Sequence, residues 1–274
     1  MKKVIYLIAL TIIMASCQSK NSKKEEATNQ SQEEKIHFQN KAHELVYKMV
    51  QKTGTYDKLK ALKNVVYTYT YRTSDQEEDV SIEKYIFEGE HSLGEYSKHE
   101  RTLSNLKGNI IQKYNGDTFS LEHQNKSIND PELLHQVEFT RKTNFFWFTM
   151  MQKFLDPGIE YEYLRKETVK ENEYDIVKIS YKLNDGNPSD VYHLYINSKT
   201  LLVDQFLFTV VDHGIINKPL IMEVKYEKVN DILVPSYRRY TKSNWKGEIL
   251  KDEWVEEIST NIKFNQVINK EEFK

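Results

Sequence analysis

The sequence predicts an α+β protein, mainly β, in which one large antiparallel sheet curves beneath a small number of helices. Three observations carry this expectation. Segments of strand length that alternate apolar and polar side chains recur along most of the chain, the period-two pattern of half-buried strands. Turn signals separate them at short intervals, so successive segments should pair as hairpins and give an antiparallel sheet. Tyr and Phe number 18 and 12, and aromatic side chains suit a pleated surface.

The first ordered element reads as a helix. Ser31 and Glu34 have the spacing of a capping box. Ala42, Leu45, Val46, Met49 and Val50 then recur at helical intervals, forming one apolar stripe. Gly54 stands where a helix end favours positive φ. A short second helix is expected over 57–63, with Leu59 and Leu62 one turn apart. Strands follow. Val65, Tyr67, Tyr69 and Tyr71 alternate with Val66, Thr68, Thr70 and Arg72. Further strands are expected over 80–90, 93–98, 109–114 and 117–123, the last two flanking the hairpin signal Asn115-Gly116.

The middle of the chain breaks this pattern. Asp130-Pro131-Glu132 reads as a helix start, because Pro at the first helical position lacks an N–H that would go unpaired anyway. Leu133, Leu134 and Val137 give it a short stripe. A run at 145–155 is almost wholly apolar and stops at Asp156-Pro157-Gly158. It suits a buried helix or a strand pair; periodicity does not choose between them, and a helix is preferred. Strands resume over 159–170, 174–182, 191–197, 201–211, 220–229, 233–242 and 248–260, divided by turns such as those at 184–188, His213-Gly214 and Lys246-Gly247. About twelve strands make a sheet that must curl or split into layers, with the helical segments left to cover its concave side.

The N-terminus carries a different signal. Lys2 and Lys3 precede an apolar run over 4–14, which closes on Met14-Ala15-Ser16-Cys17. A positive start, a short apolar stretch and small residues before a cut site mark an export signal. The run is too short to span a bilayer, which takes roughly 20 apolar residues. Met14-Ala15-Ser16-Cys17 resembles the bacterial lipobox, which implies cleavage after residue 16 and lipidation of Cys17. This is the chain's single cysteine, and a lone thiol in an exported protein calls for a use. Residues 18–35 hold no apolar side chain larger than Ala27, so they are expected to be a disordered tether spanning on the order of 23 Å. Residues 36–274 then read as a single domain, since no Pro/Gly/Ser-rich linker interrupts them.

Composition excludes several classes of function. The formal net charge is −2, and it becomes more negative when Lys2 and Lys3 leave with the leader. No basic stripe is present for phosphates, so a nucleic-acid partner is not expected. No G-x-S-x-G elbow, P-loop, dinucleotide fingerprint or H-E-x-x-H occurs, and the nine glycines fall mostly at turns. The eight His residues show no zinc spacing. His43-Glu44 reads as a solvated helix flank and His193 as a half-buried sheet residue; His91 and His99 could meet across a hairpin but lack a third ligand. No catalytic residue, metal or cofactor is therefore assigned.

The sequence of elements (a helix pair, a long meander, a mid-chain apolar helix, a second meander) resembles the LolA/LolB fold. The stretches that carry the resemblance are Ala42-His43, Asn144-Phe145-Phe146 through Leu155-Asp156-Pro157-Gly158, and Val191-Tyr192-His193-Leu194-Tyr195-Ile196. More narrowly, the chain resembles a family of Bacteroidota outer-membrane lipoproteins related to that fold. The resemblance implies a half-open barrel with an apolar cavity under helical lids, in a monomer anchored to the outer membrane on its periplasmic face or at the cell surface. Candidate cavity residues are Tyr67, Tyr69, Tyr71, Phe145, Phe146, Trp147, Phe148, Met150, Met151, Phe154, Phe206 and Phe208. The 145–155 segment is either a lid or wall over that cavity or a plug that fills it. The function expected is non-enzymatic binding of an apolar ligand, lipid or lipoprotein acyl chains. The alternatives are an interaction module presenting aromatics such as Trp245 and Trp254 to an envelope protein or glycan, and, more remotely, a hydrolase of envelope polymers.

Overall fold

A computed structural model of the chain describes residues 36–182 and 189–274. The expected leader, Cys17, the tether, the Ser31/Glu34 cap and the 184–188 turn fall among residues 1–35 and 183–188, outside the described residues. The elements below all belong to one unit, Phe38–Lys274.

Helix α1 runs Lys41–Thr53 and starts at Asn40, whose Oδ1 accepts the His43 N–H at 3.0 Å. Its N-terminus is thus set by Asn40. The apolar stripe does what its spacing predicts: Ala42, Val46, Met49 and Val50 are all buried. Gly54 ends the helix at φ 101°, and a Cβ there would lie 2.6 Å from Ile232 Cδ1, so both the turn and the close approach require glycine. Helix α2, Tyr56–Ala61, is shorter than expected and buries Leu59.

A first meander follows: β1 (Asn64–Arg72), β2 (Glu78–Ile86), β3 (His91–His99), β4 (Ile110–Tyr114), β5 (Phe119–His123) and β6 (Lys126–Ile128). The Asn115-Gly116 hairpin is present between β4 and β5, but Tyr114 pairs with Phe119, so its loop has four residues and not two. Asn115 Oδ1 accepts the N–H groups of Asp117 and Thr118 at 2.9 and 2.8 Å, an Asx turn that favours the longer loop. Helix α3 spans Pro131–Lys153, one unbroken element where the sequence suggested two. Asp130 caps it and Pro131 opens it as expected. The second meander comprises β7 (Ile159–Val169), β8 (Asn172–Tyr181), β9 (Val191–Asn197), β10 (Val203–Val210), β11 (Ile215–Val229), β12 (Ile232–Lys242) and β13 (Val255–Phe264). Thirteen strands result among the described residues; short β6 is the one the sequence did not reveal.

All thirteen form one antiparallel sheet in the order β6-β5-β4-β3-β2-β1-β13-β12-β11-β10-β9-β8-β7. The strands are not all joined to sequence neighbours, because β1 pairs with β13 and so joins the two meanders. The edges β6 and β7 do not pair, leaving the curved sheet unclosed, a half-open barrel. Helix α3 connects these edges and, at about 34 Å long, lies across the concave face. Its first turns pack Val137 with Ile110 and Leu121, and its last turns join Met150, Met151 and Phe154 to α1 and to β7–β11.

Two arginines fix α3 to the sheet. Arg141, fully buried on the helix, donates to Glu83 of β2 through Nη1 (2.7 Å) and Nη2 (3.2 Å), to Tyr96 Oη (2.9 Å) and to Gln112 Oε1 (3.2 Å). Glu83 also accepts from Ser81 Oγ and Tyr85 Oη, at 2.7 and 2.9 Å. Burial works against the Arg141 charge, but the attraction of Glu83 outweighs it and holds the guanidinium above its ordinary pKa. The facing strand makes room: a Cβ on Gly94 would stand 2.5 Å from Arg141 Nη1. From the other side, Arg238 of β12 binds Glu257 through Nε and Nη2 (2.8 and 2.6 Å) and donates Nη1 to the Trp147 carbonyl (2.6 Å).

Removing one partner of such a pair leaves a buried charge uncompensated. Arg141→Met is expected to destabilise the protein by about 3–5 kcal/mol. Adding Glu83→Gln should recover more than half of that loss, since the glutamine carries no charge, its Oε1 can still accept from Ser81 and its Nε2 can donate to the Tyr85 oxygen. Urea midpoints of the single and double variants check this.

Candidate functional site

Not all of the concave face is filled. Between the sheet and α3 lies a solvent-connected cavity of about 1190 Å³, larger than the roughly 300–1,000 Å³ common for small-molecule sites. Its walls come from inward positions of β1, β8–β13, from α3 and from the β3–β4 loop. The alternation that builds the core also builds these walls. Along β11, Leu220 and Met222 face inward beside Phe208 of β10 and Tyr192 of β9. Aromatic and aliphatic side chains of the strands form part of the surface, and charged or hydroxyl side chains of α3 and the connecting loops form much of the remainder.

The twelve residues proposed from sequence divide into two groups. Tyr69, Tyr71, Phe146, Trp147 and Phe208 line the cavity. Tyr67, Phe145, Phe148, Met150, Met151, Phe154 and Phe206 do not; they are buried in packed clusters. Tyr67 stacks on Phe148 at 4.9 Å and hydrogen-bonds Tyr85 Oη at 2.9 Å, while Phe145 meets Tyr85 at 5.3 Å. The apolar segment of α3 is therefore mainly a plug, with Phe146 and Trp147 forming the part that is wall. Its near-uniform apolarity follows from being surrounded on most sides: 147–152 are all buried.

Several lining residues escaped the sequence reading. Tyr192, Leu220 and Met222 occupy inward phases of strands whose alternation is plain, so the signal existed. Arg101 sits in the β3–β4 loop, where no periodicity could assign it. It lies over the Tyr71 ring at 4.0 Å. Nearby, the hydroxyls of Tyr71 and Tyr240 pair at 2.5 Å. Burial raises both phenols, keeping them neutral hydrogen-bonding groups. At the opposite end, Asp190 accepts from Val211 N–H and Thr209 Oγ1 at 2.8 and 3.1 Å, and burial pushes its carboxyl upward. The 3₁₀ turn Val211–His213 approaches α3, with the His213 ring edge-on to Phe139 at 4.6 Å.

The histidines offer no obvious chemistry. His91 and His99 are the two ends of β3 and cannot meet across a hairpin. His43 stacks on Tyr161 at 4.9 Å. Among the described residues no group of three or more His, Cys, Asp or Glu is arranged to hold a metal ion. Trp245 and Trp254 are not freely presented aromatics: Trp245 packs on His193 at 4.4 Å, and Trp254 lies under the Arg239 guanidinium at 4.1 Å. Among the described residues no helix is long and apolar enough to cross a membrane.

No family model and no curated protein matches the sequence. Among solved structures, the chain is similar to a LolA superfamily protein from Nitrosomonas europaea, at 10% identity and TM-score 0.48, over 85% of this chain and 97% of that one. It is also similar to a putative outer membrane lipoprotein-sorting protein domain from Vibrio parahaemolyticus (7% identity, TM-score 0.47, 84% and 95% covered). A third likeness is the lipoprotein LppX of Mycobacterium tuberculosis (10% identity, TM-score 0.34, 82% and 97% covered). The class that fold and site define rests on the molecule itself: an open antiparallel half-barrel with a helix in its trough and an amphipathic cavity beside that helix.

His193 yields a pH prediction. Burial, aided by Lys178 and Arg165, lowers its pKa from 6.5 to about 4. The unfolded chain binds this proton near the ordinary value and the folded chain resists it, so stability falls as pH drops from 6.5 toward 4. The urea midpoint of His193→Gln should lose less than wild type across that window. Parallel curves would contradict the assignment.

Proposed function

We propose that this protein binds an apolar ligand, a lipid or the acyl chains of a lipoprotein, in the cavity beside α3. It acts as a non-enzymatic protein of the cell envelope. The observation that carries the reading is the cavity of about 1190 Å³ with Trp147, Phe208, Leu220 and Met222 in its wall. A void lined this way loses both hydration and dispersion contacts when empty, and an acyl chain restores the contacts while removing apolar surface from water. At roughly 25 cal/mol per Å² of buried apolar area, a single long chain is enough for useful affinity. Lipidation of Cys17 supports the same setting by holding the domain at the outer membrane, beside a supply of acyl chains; stable anchoring needs more than one such chain.

Native mass spectrometry of the Cys17→Ser chain, purified from bacteria without detergent, tests ligand binding free of any anchor lipid. The expected result is a bound mass that denaturation releases as lipid. An apo mass, together with no uptake of a fluorescent fatty acid, would overturn the reading. Anchoring is tested separately. Cys17→Ala should move the protein out of the membrane fraction and abolish labelling by radioactive palmitate; a mature, membrane-bound variant would refute lipidation.

A further inference from the structure

The cavity has polar ends, and its Arg101 end differs from the others in one respect. Elsewhere in the wall, Glu257 is held by Arg238 at 2.6 and 2.8 Å, and Asp190 by two donors. Arg101 is not held in this way. Among the described residues its guanidinium makes no hydrogen bond, although it faces the cavity and lies over the Tyr71 ring at 4.0 Å. Asp79 Oδ2 stands 3.5 Å from its Nε. That carboxylate is only 2% exposed and already accepts the N–H groups of Arg101 and Thr102 and the Thr102 hydroxyl, at 2.7–3.3 Å. Asp79 therefore fixes the loop carrying Arg101 and leaves most of the guanidinium's five donors free.

The neighbouring hydroxyls have the same polarity. Tyr71 and Tyr240 share one hydrogen between their oxygens at 2.5 Å, so the second hydroxyl hydrogen remains to be offered elsewhere. From this end, the wall continues through β13, β12, β11 and β10 to Tyr192 on β9. Five strand spacings of about 4.8 Å give roughly 24 Å measured along the curve of the sheet, and the volume of about 1190 Å³ has room for an acyl chain that follows it. A donor-rich end and an apolar trough of this length fit one shape of ligand.

We propose that Arg101 forms an anion subsite and that the cavity takes an amphiphile with a single negative charge at its head, a fatty acid carboxylate above all. The tail lies along Trp147 and Phe208 toward Tyr192. The planar guanidinium matches a carboxylate bidentately, which a neutral head cannot use. This rests on the apolar-ligand reading and adds head-group selection to it. The shared chemistry, one anionic charge on an acyl chain, is also present in a phosphodiester lipid, and the test separates the two.

The experiment measures binding of palmitate, hexadecanol and dipalmitoylphosphatidylglycerol to the Cys17→Ser chain, with and without Arg101→Gln. The expected result is palmitate bound about tenfold more tightly than hexadecanol, equivalent to about 1.4 kcal/mol, with that preference lost in Arg101→Gln. Arg101→Lys should keep part of it. Equal binding of palmitate and hexadecanol by the unsubstituted site overturns the subsite but leaves the apolar-ligand reading intact. Arg101 dependence for phosphatidylglycerol alone overturns the carboxylate assignment. Binding of none of the three overturns both readings. The palmitate–hexadecanol comparison needs no Arg101 variant, so it still tests head-group selection where Arg101→Gln fails to fold.

Discussion

A helix that carries a guanidinium into the trough of a sheet must find an acidic partner there, and the architecture depends on that requirement. Arg141 reaches Glu83 with full burial on both sides. The pair is surrounded by Tyr85, Tyr96, Gln112 and Ser81, which occupy the remaining hydrogen-bonding positions. Desolvation makes such a pair a poor source of net stability compared with apolar packing. Its geometry is unforgiving, however, and that sets where α3 can lie. Arg238 then binds a backbone carbonyl of the same helix from the opposite strands. Two fixed points, separated by about two turns, define both position and rotation.

The cavity follows from this placement. A helix free to settle could sink until the trough was filled. Here Arg141 and Trp147 are held at set depths, and the helix packs fully at its C-terminal end, where α1 adds another layer. Farther back, α3 packs on β4 and β5 through Val137, while His135, Phe139 and Thr143 border open space. The divided fate of the aromatic residues reflects this. Phe148, Met150 and Met151 sit where the helix is embedded, whereas Phe146 and Trp147 border open space. The same apolar segment is plug at most of its positions and wall at Phe146 and Trp147.

Much of this was legible in the sequence, and the failures have physical causes. Period-two alternation located nearly every strand, because the sheet buries one face almost throughout. The α1 stripe and the Asp130-Pro131 start were equally readable. Alternation misleads at β2: the apolar phase there is Val80 and Ile82, yet Ile82 is 38% exposed while Ser81, Glu83 and Tyr85 point inward. Glu83 reverses the phase because it serves Arg141, a partner 58 residues away that no local pattern connects to it. The continuity of α3 was hidden for a related reason, since polar residues between its two apolar parts include the buried Arg141. Arg101 carried no signal at all, being defined by a loop whose shape comes from Asp79.

The central pair of the sheet shows how these features support one another. Strands β1 and β13 are the meeting point of the two meanders, and their inward positions carry Tyr69, Tyr71 and Glu257. Without Arg238, Glu257 would place an uncompensated anion in the cavity wall, opposing any acidic ligand. With Arg238 bound, that charge is matched and α3 is held by the same side chain. One residue thus joins the meanders' seam to the helix and compensates Glu257 in the wall beneath it. The local charge balance then leaves Arg101, its donors only lightly engaged by Asp79, as a guanidinium in the wall open to an incoming acceptor, so the helix position and the polarity of the cavity arise from one arrangement of charges.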